Sequence, residues 1–134
     1  MIGIIVMTHG NFSEEILRSC ELIAGPAKKV ATLKLNRNDN IENLNENFVK
    51  ELDNLDDGDG VLVLTDLLGG SPSNVASLNL KKGRKFEALT GINLPMLLEA
   101  LISREGKTLE ELTKVCIESG KTGVNHINEI LSSM

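Results

Sequence analysis

His9 and Asp66 are the two residues whose types and positions could carry out chemistry together. His9 follows the apolar run IGIIVMT at residues 2 to 8, and Asp66 ends the run GVLVLTD at residues 60 to 66. Runs of this length and composition are typical of buried strands. A carboxylate that accepts a hydrogen bond from one imidazole nitrogen leaves the other nitrogen free as a base or nucleophile. The pair predicts such chemistry if the fold brings the two side chains together.

The residues after Asp66 predict a site for an anion. Gly69 and Gly70 allow the backbone to approach a ligand closely, and Ser71 adds a hydroxyl donor at the predicted start of a helix. The first N–H groups of a helix carry partial positive charge and commonly bind phosphate. Thr8 and Gly10, on either side of His9, complete the predicted phosphoryl-binding set. We therefore expect His9 to accept a phosphoryl group.

Four apolar runs predict the strands that must position these residues. They lie at residues 2 to 8, 30 to 35, 60 to 66 and 85 to 90, and each is followed by a turn and a segment of helical periodicity. Strands that alternate with helices indicate βαβ units. We predict a three-layer α/β fold for residues 1–134 as a single domain, with a mostly parallel sheet and helices on both faces. If the strand order is 2-1-3-4, the first and third strands are neighbours and His9 faces Asp66 across one crevice.

Helix boundaries also leave signals in the sequence. The apolar spacing predicts helices from residue 11 or 13 to 24 and within 39–55, and Thr108 begins a capping box that predicts a last helix. Pro72 and Pro95 suit the first helical position, with Ser71 and Asn93 as their caps. Beyond Gly120 the pattern is interrupted, and a short edge strand followed by a helical turn is one interpretation.

Composition excludes several classes of function. The net charge of -5, the pI of about 5.0 and the aromatic content of 2% argue against a nucleic-acid surface and against an aromatic platform for a sugar ring. Cys20 and Cys116 form no CxxC pair, so we expect reduced core thiols and neither a metal nor a cofactor. The N-terminal apolar stretch is too short for a membrane span, which predicts a cytoplasmic protein. His126 has no glycine loop beside it and is expected at the surface.

Three apolar residues stand close to the predicted site. Phe12 follows His9, and Leu67 and Leu68 follow Asp66. Core packing and a docking patch for a partner protein are both consistent with these positions.

Taken together, the N-terminal strand running into THG, the stretch TDLLGGSPSN and the stretch GINLPML at residues 91 to 97 identify a family. The chain resembles the enzyme IIA (EIIA) component of the mannose family of the bacterial phosphoenolpyruvate-dependent sugar phosphotransferase system. The resemblance implies that His9 accepts a phosphoryl group from the phosphocarrier protein HPr and passes it to a separate IIB component. Through IIB, the chain would act indirectly on membrane IIC and IID components. The resemblance also implies that Asp66 orients His9 and that Ser71 and nearby amides hold the phosphoryl oxygens.

The same resemblance implies the strand order 2-1-3-4 and a homodimer that exchanges a short antiparallel C-terminal strand, which would account for the segment after Gly120. Two alternatives stay open. One is a phosphoryl-donor subunit of a dihydroxyacetone kinase, and the other is a regulatory module that senses an anion in the same crevice.

Overall fold

The computed structural model describes all 134 residues and contains a four-stranded parallel sheet with helices on both faces. The strands are β1 (Gly3–His9), β2 (Val30–Leu35), β3 (Val61–Thr65) and β4 (Glu87–Leu89). The helices are α1 (Phe12–Ala24), α2 (Ile41–Leu55), α3 (Ser71–Lys81), α4 (Leu94–Ser103), α5 (Leu109–Thr122) and α6 (Ile127–Ser132). The strand order is β2-β1-β3-β4, and all neighbouring pairs are parallel, which confirms the predicted fold class and order.

The central strands β1 and β3 are buried on both faces because helices cover each side of the sheet. Side chains of a strand alternate between the two faces, so consecutive residues enter different cores. One core lies against α1, α4 and α5 and includes Ile4, Val6, Leu62 and Leu64. The other lies against α2 and α3 and includes Ile5, Met7, Val61 and Val63.

The order of the strands brings the ends of β1 and β3 together. The chain leaves β1 toward β2 on one side and returns through α2 to β3 on the other, so the strand order reverses between β1 and β3. Met7 pairs with Thr65 at the end of the β1–β3 ladder. His9 and Asp66 follow within two residues, and both side chains therefore reach the same rim of the sheet.

The helix caps follow the predictions except at α3. Asn93 accepts a hydrogen bond from the N–H of Met96, and Thr108 forms the predicted capping box with Glu111. The prediction that Ser71 caps α3 is wrong, because Ser71 is the first helical residue and Gly70 occupies the cap in an extended conformation without a side-chain bond. Pro72 and Pro95 lie at the second helical position and not at the predicted first one, because α3 begins at Ser71 and α4 at Leu94.

The predicted edge strand after Gly120 is not formed in the single chain. Helix α5 runs through Gly120 to Thr122, and α6 follows without a buried residue. Gly120 serves close helix packing, since a Cβ there would lie 2.8 Å from the Cε of Met96. The side-chain amide of Asn93 also donates to the carbonyl of Gly120 at 2.9 Å and fastens α5 to the start of α4. None of the six helices has the length and apolar character that crossing a membrane requires.

Candidate active site

His9 and Asp66 form a hydrogen-bonded pair at the carboxyl rim of the sheet. The ring Nδ1 of His9 lies 2.8 Å from Oδ2 of Asp66, and the backbone N–H of His9 donates to the same oxygen at 2.9 Å. The His9 side chain is 49% exposed, and its Nε2 has no protein partner. The geometry fixes one ring nitrogen and leaves the other open to solvent.

The charge of Asp66 determines which nitrogen carries the proton. Burial alone would raise the pKa of its carboxyl, but the hydrogen bonds from the backbone and ring of His9 outweigh burial and hold that pKa below its ordinary value. The N–H of Leu67 adds a bond to Oδ1 at 2.9 Å. A carboxylate can only accept hydrogen bonds, so Nδ1 of His9 must be the donor. In the neutral ring, Nε2 then carries the lone pair.

Gly70 forms a wall against the imidazole. A Cβ at this position would lie 2.7 Å from Cε1 of His9 and 3.5 Å from Nε2. The first distance is too short for any side chain, so only glycine allows the turn to approach the ring this closely. Gly69, just before it, adopts a φ of +86°, which a residue with a side chain rarely adopts.

The backbone amides of the glycine turn are already engaged. The N–H of Gly69 donates to Oγ of Ser73 at 3.0 Å, and the N–H of Gly70 donates to the carbonyl of Leu67 at 3.1 Å. By contrast, the N–H of Ser71 has no acceptor within the protein and belongs to the first turn of α3. Ser71 therefore offers a free amide and a half-buried hydroxyl next to the wall.

The two residues that flank His9 have structural tasks. Thr8 is fully buried, and its Oγ1 accepts a hydrogen bond from the N–H of Ser13 at 2.8 Å, which ties the first turn of α1 to β1. The prediction that Thr8 binds a phosphoryl group is therefore wrong for its side chain, which has no exposed surface. The N–H of Gly10 donates to the carbonyl of Leu35 at 2.9 Å, so this amide is engaged as well.

The apolar residues around the site are exposed. Phe12 is 45%, Leu67 63% and Leu68 79% exposed, so core packing does not account for them. Phe12 and Ile92 also line a surface cavity of about 410 Å³ between α1 and the start of α4. Exposed apolar groups beside a reactive histidine are consistent with a docking patch.

The other singled-out residues lie apart from this chemistry. His126 is exposed beside Glu129, and both cysteines are fully buried free thiols. No group of three or more His, Cys, Asp or Glu side chains could hold a metal ion. Sequence reasoning missed Ser73, whose hydroxyl ties back to the glycine turn, although a serine three residues after the turn is a known signal for such a bond.

Comparisons with known proteins show the family of this chain. Residues 3–116 match the EIIA-man family model, described as "PTS system fructose IIA component". The chain is 36% identical to the mannose-specific EIIAB component of Escherichia coli over 92% of its length, and it spans 38% of that longer relative. It is 30% identical to the fructose-specific EIIA component of Bacillus subtilis, covering 84% of this chain and 77% of the relative.

A solved structure shows the same fold. The crystal structure of the phosphotransferase system component EIIA from Streptococcus agalactiae superposes with a TM-score of 0.86 at 36% identity, covering 96% of this chain and 99% of that one. The family model covers residues 3–116 and therefore includes both strand ends that carry the site. The chain therefore belongs to the mannose-family EIIA components of the sugar phosphotransferase system.

Proposed function

We propose that this chain is a phosphohistidine carrier that accepts a phosphoryl group from phosphorylated HPr and passes it to a IIB component during phosphoenolpyruvate-dependent sugar uptake. One observation carries the proposal: Asp66 holds Nδ1 of His9 at 2.8 Å while Nε2 stays free at the surface. Family membership supports the same assignment. The 134 residues then act as one EIIA domain, in the cytoplasm where HPr delivers the group.

The reaction at His9 is an in-line transfer. The lone pair of Nε2 attacks the phosphorus of the phosphohistidine on HPr, the Nε2–P bond forms, and the P–N bond of the donor breaks with its electron pair returning to the donor imidazole. The hydrogen on Nδ1 stays in its bond to Asp66 throughout. The carboxylate stabilises the positive charge that the ring gains as the new bond forms. The reverse sequence, with a IIB residue as acceptor, completes the relay.

Helix α3 supplies the counter-charge for the phosphoryl group. A phosphoryl group brings a charge of about -1.5 to -2, which the nearby carboxylate of Asp66 repels. The free N–H of Ser71 and its hydroxyl stand beside the Gly70 wall to offset this repulsion. A helix N-terminus contributes only ~0.3–1 kcal/mol at an exposed position. We therefore expect a phosphohistidine that is stable enough to be carried and weak enough to be passed on.

The patch of Phe12, Leu67 and Leu68 is the proposed docking surface for HPr and IIB. Its exposure and its position on the two segments that carry His9 and Asp66 support this role. The membrane IIC and IID components then lie one step beyond IIB.

We also propose a homodimer. Helix α6 buries none of its residues, and Ile127, Ile130 and Leu131 are exposed on it. Strand β4 is an edge strand of three residues that could pair with a further segment. Sedimentation of the full chain tests this: a dimer that dissociates in an Ile127→Asp variant supports the assignment, and a monomeric wild-type protein contradicts it.

The phosphocarrier role is tested by labelling. With phosphoenolpyruvate, enzyme I and HPr, the chain should gain one acid-labile phosphate. His9→Ala should abolish the label, and His126→Ala, which removes the other histidine, should retain it. Label that survives in the His9→Ala protein would refute the assignment. Tight binding of a small phosphorylated metabolite without covalent label would favour the anion-sensing alternative instead.

A further inference from the structure

Ser73 is a buried polar residue that the transfer step itself does not use. It is the third residue of α3 and only 5% exposed. Its Oγ accepts a hydrogen bond from the N–H of Gly69 at 3.0 Å and donates one to the carbonyl of Gly70 at 3.0 Å. One hydroxyl therefore links the N–H of Gly69 and the carbonyl of Gly70 to the first turn of α3.

The turn needs such a tether because two consecutive glycines have more backbone freedom than any other pair of residues. The side chain of Asn74 adds a bond from its Nδ2 to the carbonyl of Gly69 at 3.2 Å. Both polar groups of the Gly69 backbone are thus held from α3. Of the two side chains, Ser73 is the buried one, and its bonds are shielded from competing water.

The conformation of this turn decides what His9 meets. Gly70 lies against the imidazole so closely that a Cβ would be 2.7 Å from Cε1. Because Ser73 takes up the N–H of Gly69, the next free donor along the chain is the N–H of Ser71. A change in the turn would move the wall and this donor together.

We propose that Ser73 is a positioning residue for phosphoryl transfer at His9, acting through the Gly70 wall and the free N–H of Ser71. The proposal rests on the phosphocarrier function given above. Ser73 itself is too buried to contact a partner protein. Its loss should therefore slow transfer within the complex and leave the binding of phosphorylated HPr unchanged.

The test compares transfer from phosphorylated HPr to three variants. Ser73→Ala should lower the maximal rate by about five- to tenfold, the factor that corresponds to one or two weakened hydrogen bonds, with the KM for phosphorylated HPr unchanged. Ser73→Thr keeps the hydroxyl and should restore the rate to within about twofold. Ser77→Ala, an exposed serine on the same helix, is the matched control and should behave as wild type.

A second measurement reports on the turn without any transfer. Amide hydrogen exchange at Gly69 in the unphosphorylated protein should be faster in Ser73→Ala and near wild type in Ser73→Thr. If Ser73→Ala does not fold, Ser73→Cys replaces it, since a thiol is a weak hydrogen-bond partner of similar size.

The outcomes distinguish a failure of the positioning role of Ser73 from a failure of the phosphocarrier function. Faster Gly69 exchange together with wild-type transfer kinetics overturns the positioning role while the carrier function stands. A raised KM with an unchanged maximal rate overturns it too, because that pattern belongs to partner binding. If wild-type protein takes no label on His9, the carrier function fails, and the positioning role fails with it.

Discussion

Substituting Gly70 by alanine tests how tightly the site is built around His9. The added Cβ would lie 2.7 Å from Cε1 of His9, whereas ordinary contact begins at 3.4 Å. The ring and the turn must therefore separate by about 0.7 Å. The ring is held by Asp66 and the turn by Ser73, so one of these two tethers must lengthen.

The expected magnitude follows from the tether on the ring. When the ring moves rather than the turn, the Nδ1···Oδ2 distance lengthens from 2.8 Å to at most about 3.5 Å, beyond a good hydrogen bond. A hydrogen bond to a charged group contributes about 1.5–3 kcal/mol, and each ~1.4 kcal/mol is a factor of ten in rate. We therefore expect Gly70→Ala to slow transfer from phosphorylated HPr by roughly tenfold to a hundredfold.

The assay is rapid-quench transfer from phosphorylated HPr, combined with nitrogen NMR of the His9 ring. The ring should lose the signature of a donated Nδ1–H in Gly70→Ala. Ser77→Ala, at an exposed position of α3, controls for alanine substitution as such. A Gly70→Ala protein with wild-type transfer and an unchanged ring signature would refute the proposed contact between the turn and the ring.

Three further predictions concern charge and reactivity. Asp66→Asn removes the charge that stabilises the phosphorylating ring and should slow transfer by about tenfold or more, with a melting curve to show that the fold is retained. The pKa of Asp57 is lowered from 3.8 to about 2, chiefly by the hydrogen bond from Lys29. Because the carboxyl binds protons at higher pH in the unfolded chain than in the folded one, ionised Asp57 stabilises the folded state. This stabilisation is complete above about pH 4 and lost toward pH 2. Lys29→Met should thus flatten the fall in unfolding free energy over that interval in denaturant titrations, and an unchanged pH profile would contradict the pairing. Burial raises the pKa of Cys20 to about 11 and of Cys116 to about 12, so neither thiol should react with iodoacetamide in the native protein at neutral pH; rapid alkylation detected by mass spectrometry would contradict their burial.

The sequence predicted the main features of the site because they depend on local order along the chain. His9 and Asp66 each end an apolar run, and in a parallel sheet the ends of neighbouring strands share a rim. The neighbours of these residues were harder to assign, as Thr8 shows. Its hydroxyl lies on the same face of β1 as Ile4 and Val6, under α1, and only the alternation of the strand reveals this.

Features that depend on distant contacts were not predicted. The interruption at Gly120 suggested the end of a helix, but that glycine lets α5 pack against Met96, more than twenty residues earlier in the chain. The prediction of Ser71 as a cap failed for a local reason, since the Ser73 hydroxyl ties the turn to α3 and Gly70 takes the cap position. Turn chemistry of this kind depends on which of two nearby serines faces inward, and residue type alone does not distinguish them.

The oxygen Oδ2 of Asp66 holds His9 twice, through the backbone and through the ring. A half-exposed histidine would ordinarily sample several rotamers, whereas this one is fixed before any partner arrives. Little time within an encounter is then needed to find the reactive orientation. A carrier of this design can work with short residence times on both donor and acceptor, and high affinity for either partner would only delay its release.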